Sequence, residues 1–172
     1  KLRVIGLTAT PYRLTTGMVC RPDHFLNHVC YEIGVKELIL AGYLCPLTSK
    51  AGIARIDTDR LHVRGGEFIP AEAEALFDDD ALVETACKEI VAACEFRNSV
   101  LIFASGIQHG RHIQRILKEQ HGINAGFVDG ETPSQDRSDT IRKFRNFDLK
   151  YLVNIGVFTT GFDAPNVDCV AL

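Results

Sequence analysis

The chain has 172 residues, 46% of them hydrophobic, which suits one ordinary domain with a real core. No run approaches the roughly 18 consecutive apolar residues of a membrane span, and no charged, apolar and small-residue order marks a secretory leader, so no membrane association is expected. Six scattered cysteines without a C-x-x-C pair exclude a zinc ribbon and a dense disulfide scaffold; free, reduced, mostly buried thiols and a cytoplasmic compartment are expected. The net charge of −3 conceals a segregation. Lys and Arg against Asp and Glu number 7 against 3 in residues 1–56, 3 against 11 in 57–96, 9 against 6 in 97–150, and 0 against 2 in 151–172. Any nucleic-acid contact should avoid that acidic middle.

In chain order, Leu2–Leu7 reads as a buried strand, Val35–Ala41 as a short helix ended by Gly42, and Leu47–Ile56 as a strand. Asp57–Asp79, with Gly65 and Gly66 inside it, reads as a loop or hairpin. The spacing of Leu82, Val83, Ala86, Cys87, Ile90, Val91 and Cys94 predicts an amphipathic helix near 80–96, on which Cys87 and Cys94 share a packing face. Ser99–Ala104 is a short apolar run of the kind that forms a strand buried on both faces of a parallel sheet. Ile113, Ile116 and Leu117 mark a helix stopped by Gly122, and Ile123–Val128 a further strand. Thr132-Pro133-Ser134-Gln135 predicts a capping box with proline at the first helical position, leading a helix that presents Ile141 and Phe144. Strands at Tyr151–Ile155 and Val167–Leu172 complete the alternation, and the natural fold is α/β with a parallel sheet and right-handed crossovers.

Two segments carry the chemistry. Leu7-Thr8-Ala9-Thr10-Pro11-Tyr12-Arg13 follows a predicted strand, so its hydroxyls could reach a crevice at a sheet's carboxyl edge; it could equally be a turn. Val153–Pro165 runs from a strand into a loop holding Thr159, Thr160, Gly161, Asp163 and Pro165. There glycine permits close backbone approach, hydroxyls can hold phosphate oxygens, and a carboxylate can accept from ribose hydroxyls. A tight turn capped by Asp163 is the structural alternative.

Taken together and in order, these segments resemble the motif series of superfamily 2 helicases of the DEAD/DEAH type. T-A-T-P resembles motif III, Val100–Ser105 motif IV, Asp129–Arg137 motif IVa, and Val153–Pro165 motif V. The T-T-G-F-D-A-P form, with G-Y-L-C-P at 42–46 and R-G-G-E-F at 64–68, is similar to the RadD-like bacterial helicases. The resemblance implies a RecA-like lobe of the P-loop NTPase type, with residues 1–20 ending an N-terminal motor lobe and residues 21–172 forming a C-terminal lobe truncated before motif VI. It implies that Thr8 and Thr10 couple nucleotide state to nucleic-acid grip and that Gly161 and Asp163 face ATP. Ser105, Gly130, Thr159 and Thr160 are implied beside the nucleic-acid backbone. Helix N-termini after Ser105 and Thr132 give phosphate a reason to lie there. Arg137 is implied as an intramolecular ion-pair partner, and the six histidines are expected to be solvated, without a metal or base role.

The sequence holds no G-x-x-x-x-G-K-[ST] loop and no D-E-x-[DH] box, and Asp78-Asp79-Asp80 is a weak substitute for the magnesium carboxylates. ATP and Mg2+ are therefore expected in an intact parent, with neither held tightly by this chain, which alone should not be an ATPase. The implied partners are nucleic acid, DNA in preference to RNA, and the N-terminal RecA-like lobe of the same polypeptide. The competing reading is a non-motor α/β module that binds a nucleotide or a protein. A flavodoxin-like enzyme would need a complete phosphate loop after a first strand, and none is present.

Overall fold

The computed structural model describes residues 3–13, 16–53, 56–158 and 162–172. They fall into two compact units, Lys1–Ala51 with Arg64–Glu67, and Gly52–Val63 with Phe68–Leu172.

In the first unit Tyr12–Arg13 (β1) pairs antiparallel with Gly17–Met18 (β2). Val35–Leu40 (α1) starts where Glu37 accepts the Gly34 N–H at 2.8 Å and stops before Gly42, which turns the chain at a φ of 78°. The strands expected at Leu2–Leu7 and Leu47–Ile56 do not form among the described residues. Ile5, Leu7 and Leu47 are instead exposed, at 80%, 96% and 84%. An apolar run becomes a strand only where a neighbouring ladder satisfies its backbone, and no described strand pairs with either segment. No described residue of 3–51 is buried, so apolar content there does not translate into a core.

Val63–Arg64 (β3) and Glu67–Phe68 (β4) form a two-stranded hairpin around Gly65 and Gly66, whose φ values of 67° and 90° suit a two-residue turn. Pro70–Phe77 (α2) follows, a helix not expected from the sequence. Its signal was Pro70 at the first turn ahead of an Ala, Glu and Leu run, all strong helix formers.

Asp80–Ala93 (α3) begins at Asp79, whose carboxylate accepts the Leu82 N–H at 3.0 Å. Next come Val100–Phe103 (β5), Ile107–His121 (α4), Gly126–Val128 (β6), Ser134–Arg145 (α5), Tyr151–Asn154 (β7) and Cys169–Ala171 (β8). α4 ends at Gly122 with a φ of 66°, as its glycine stop predicts. The four strands form one parallel sheet in the order β6-β7-β5-β8, with Val100 opposite Tyr151 and Cys169.

Alternation along the strands divides the core. Val100, Ile102, Tyr151 and Val153 pack with Val83, Cys87, Ile113 and Leu117 of α3 and α4, whereas Leu101 and Leu152 pack with Phe144 of α5 and with Phe158. Helices thus cover both faces, which is why β5 reads as an unbroken apolar run and β7 as one interrupted only by its last residue, Asn154. Burying each large apolar side chain stabilises the unit by roughly 1.5–3 kcal/mol relative to leaving it in water.

All six cysteines are free, as expected, but only Cys87 and Cys94 are buried; Cys30 and Cys45 are exposed because they lie in the unit without a core. Among the described residues no helix is long and apolar enough to cross a membrane.

Candidate functional site

Because β5, β6 and β7 are parallel neighbours, the segments leaving them emerge at one edge of the sheet. Ser105, Gly130 and the loop after Asn154 are those segments, so residues expected at a ligand crevice gather at the carboxyl ends of adjacent strands.

Ser105 lies two residues past β5. Its N–H donates to His109 Nδ1 at 3.2 Å and its Oγ lies 2.8 Å from the same nitrogen, which fits a neutral ring with Nδ1 as acceptor. Burial pushes the His109 pKa down, against the nearby Asp78 carboxylate. The N-terminus of α4 already holds an anion, since Glu74 Oε1 of α2 accepts from Gln108 N at 2.7 Å and from His109 N at 3.4 Å. The same carboxylate fills the space that a side chain at Gly106 would need.

Gly130 is exposed, with open space around its Cα, on a turn that is internally bonded. Thr132 Oγ1 donates to Asp129 Oδ1 at 2.6 Å and accepts the Asp129 N–H at 2.9 Å, while Glu131 N donates to Asp129 Oδ1 at 3.1 Å. The Thr132 hydroxyl, followed by the backbone amides, holds the Asp129 carboxyl below its ordinary range despite burial. These bonds replace the expected capping box: Pro133 is the N-cap residue of α5, and Thr132 turns back to Asp129 instead of capping the helix. Arg137 also differs from expectation. It makes no carboxylate pair among the described residues; its Nη2 reaches the carbonyls of Asp129, Gly130 and Thr132 at 3.3, 3.4 and 3.1 Å. Through these three carbonyls it holds the turn that precedes its own helix.

At the end of β7, the fully buried Asn154 accepts the N–H groups of Val157 and Phe158 at its Oδ1, at 3.1 and 3.0 Å. Phe158 stacks on Phe162 with ring centroids 4.1 Å apart, so the two residues flanking 159–161 are held together. Thr159, Thr160 and Gly161 lie outside the described residues. Asp163 is exposed; its carbonyl accepts from Arg145 Nη2, and its carboxylate has no hydrogen bond among the described residues.

In the other unit, Thr8 Oγ1 accepts the Thr10 N–H at 3.0 Å and donates to the Thr10 carbonyl at 3.1 Å. The T-A-T segment is thus a hydroxyl-closed turn with both threonines exposed.

The histidines of α4 are not solvated as expected. His112 is 8% exposed, with Nδ1 2.7 Å from Asp78 Oδ1 and Nε2 3.1 Å from Asp80 Oδ1 without hydrogen-bond alignment. The packing of α2 and α3 on α4 brings the Asp78–Asp80 run onto that ring, and Asp79 caps α3, so each of these aspartates has an internal partner. No group of histidine, cysteine, aspartate and glutamate able to hold a metal occurs among the described residues. Sequence reasoning missed Glu74 and Asn154. A strand ending in Asn ahead of a glycine was the available signal for Asn154; nothing local marked Glu74, because its partner is 34 residues away.

A RecA-like α/β lobe, with covered sheet faces and its candidate ligand segments along one carboxyl edge, is the class this arrangement defines. Residues 81–172 match the helicase conserved C-terminal domain family, and the chain belongs to that family. It is 28% identical over 100% of its length to the Saccharomyces cerevisiae protein named as ATP-dependent helicase IRC3, covering 25% of that protein. It is 30% identical over 99% of its length to the Schizosaccharomyces pombe protein named as mitochondrial ATP-dependent helicase irc3, covering 27% of it. The chain thus spans about a quarter of the length of these relatives. Among solved structures it is similar to the Sulfolobus solfataricus SWI2/SNF2 ATPase core domain, with a TM-score of 0.50 at 21% identity, covering 58% of this chain and 24% of that one. That likeness concerns the fold.

Proposed function

We propose that the chain is the second motor lobe of an ATP-driven nucleic-acid helicase or translocase, contributing half of an ATP site and part of the nucleic-acid track. The observation that carries this reading is the convergence of Ser105, Gly130 and the segment Asn154–Phe158 at the carboxyl ends of three adjacent parallel strands. The two named relatives, matched across nearly the whole chain, support it.

In this reading Asp163 accepts from the ribose and Gly161 lets the protein backbone approach the nucleotide closely, while Ser105, Gly130, Thr159 and Thr160 face nucleic-acid phosphates. The exposed Asp163 carboxylate, without an internal hydrogen bond among the described residues, fits an acceptor waiting for a ligand. Thr8 and Thr10 couple the two ligands from the end of the N-terminal lobe, which we place at residues 1–20, with 21–172 as the C-terminal lobe. ATP with Mg2+ is the fuel of the intact protein, DNA is preferred to RNA, and the compartment is cytoplasmic. A RadD-like kinship rests on the motifs at 42–46, 64–68 and 159–165. The chain alone is not an ATPase, since it has no phosphate loop.

The test is ATP hydrolysis by the full-length protein against oligonucleotide concentration. Hydrolysis that rises with single-stranded DNA supports the motor; nucleotide binding without stimulated turnover by any nucleic acid would replace it with a binding module.

A further inference from the structure

The pairing of Cys94 with Cys169 has no part in the nucleotide or nucleic-acid reading. Cys94 ends α3 and is 1% exposed; Cys169 opens β8, the outer strand beside β5, and is half-buried. Their Sγ atoms lie 3.2 Å apart although the residues are 75 apart in sequence, so tertiary packing alone brings them together. A disulfide requires about 2.0 Å between sulfurs, a closure of the order of 1 Å that side-chain rotation and a small shift of an edge strand can supply. The other four thiols differ: Cys87 faces the Ile113 carbonyl at 4.0 Å inside the core, and Cys20, Cys30 and Cys45 belong to the first unit.

We propose that Cys94 and Cys169 form a thiol modification site that a hydroperoxide converts into an intramolecular disulfide, tying the end of α3 to β8. Cys169 is the entry point because it has the greater access to solvent. Its thiolate attacks the O–O bond of the hydroperoxide, yielding a sulfenic acid and releasing the alcohol or water, which takes the proton. Cys94 Sγ then attacks the Cys169 sulfur; the S–O bond breaks, and the hydroxide leaves as water with the Cys94 proton. Two thiols are thereby oxidised by two electrons and one peroxide is reduced. Burial pushes the Cys94 thiol up to about 12, with the Cys169 partner adding to it and Lys150 and Arg97 opposing. This makes Cys94 the resolving sulfur and not the first to react. The bond encloses β5, β6, β7 and the 155–163 loop within one covalent circuit, so the oxidised form should melt later than the reduced one.

The experiment treats the full-length protein with hydrogen peroxide, blocks remaining thiols, and maps cysteines by peptide mass spectrometry without reduction. Trypsin isolates Cys94 in residues 89–97, and Cys169 in the peptide that starts at Tyr151. We expect these two peptides linked, with the loss of two hydrogens, a reductant-reversible rise in Tm, and neither change in Cys169→Ser. Cys94→Ala serves as the second variant, and Cys30→Ser should retain the link. If Cys94 and Cys169 both stay alkylatable while the exposed Cys30 and Cys45 are consumed, or either links to a different cysteine, the proposal is overturned.

Discussion

Glu74 Oε1 accepts the Gln108 N–H at 2.7 Å, so an internal carboxylate occupies the start of α4, where a nucleic-acid phosphate is expected beside Ser105. If phosphate uses those amides, Glu74 competes with it. Glu74→Gln should then raise affinity for a single-stranded oligonucleotide by up to about fivefold, the equivalent of the 0.3–1 kcal/mol that a charge contributes at a helix end. Fluorescence anisotropy at low salt measures it. Unchanged affinity with a lowered melting temperature would make Glu74 a helix cap only.

Asn154 holds the first turn of the loop through the amides of Val157 and Phe158. Asn154→Ala leaves two donors without their partner, the Phe158 N–H in a buried site and the Val157 N–H in a half-buried one. Each costs roughly 1–3 kcal/mol, so a urea melt should show a loss in that range or above it. A loss well under 1 kcal/mol would show that the turn holds itself.

Asp168 ties the loop after the site back to the start of β5: its Oδ2 accepts Asn98 N at 2.8 Å and its Oδ1 accepts Ser99 N at 3.0 Å. Burial raises its pKa, but the two amides and the Arg97 charge outweigh burial and hold it below the ordinary 3.8. The unfolded state therefore binds this proton more readily. The stabilisation is complete above about pH 4 and is lost as pH falls through the folded-state value. Asp168→Asn should be less stable at neutral pH, by of the order of 1 kcal/mol for so exposed a group, and should narrow its gap to wild type in acid. Parallel melts between pH 2.5 and pH 7 decide it; a gap that is constant with pH would assign the effect to packing.

The alternating pattern from residue 80 onward was legible because each element there buries a face against another within the same unit: Leu101 and Val100 point to opposite sides of a sheet covered on both. Leu2–Leu7 and Leu47–Ile56 carry the same apolar signal, yet they form no strands among the described residues, since periodicity reports which residues can be buried and says nothing about whether a partner ladder exists. The site divides similarly. Ser105 and Gly130 lie two residues past β5 and β6, and Asp163 in the segment between β7 and β8, so a motif read along the chain reaches each of them. Glu74, Arg137 and Asn154 act through tertiary or turn geometry that one-dimensional spacing does not encode.

Asp163→Ala should raise the Michaelis constant of the full-length protein for ATP by about one to two decades, as expected for losing a hydrogen bond to a charged acceptor worth roughly 1.5–3 kcal/mol. Its melting temperature should hold, because the carboxylate makes no hydrogen bond among the described residues. Lowered stability at an unchanged Michaelis constant would assign Asp163 a structural role.

In the proposed motor one short loop senses both ligands, with Thr159 and Thr160 at the nucleic acid and Gly161 and Asp163 at ATP, so that the two binding energies are linked by about 1–3 kcal/mol. The direct measurement is ATPase rate against nucleic-acid concentration for wild type, Thr160→Ala and Thr8→Ala in the full-length protein, with thermal melts beside it. Both variants should show normal basal hydrolysis and reduced stimulation. Full stimulation in both, with melting unchanged, would contradict that linkage.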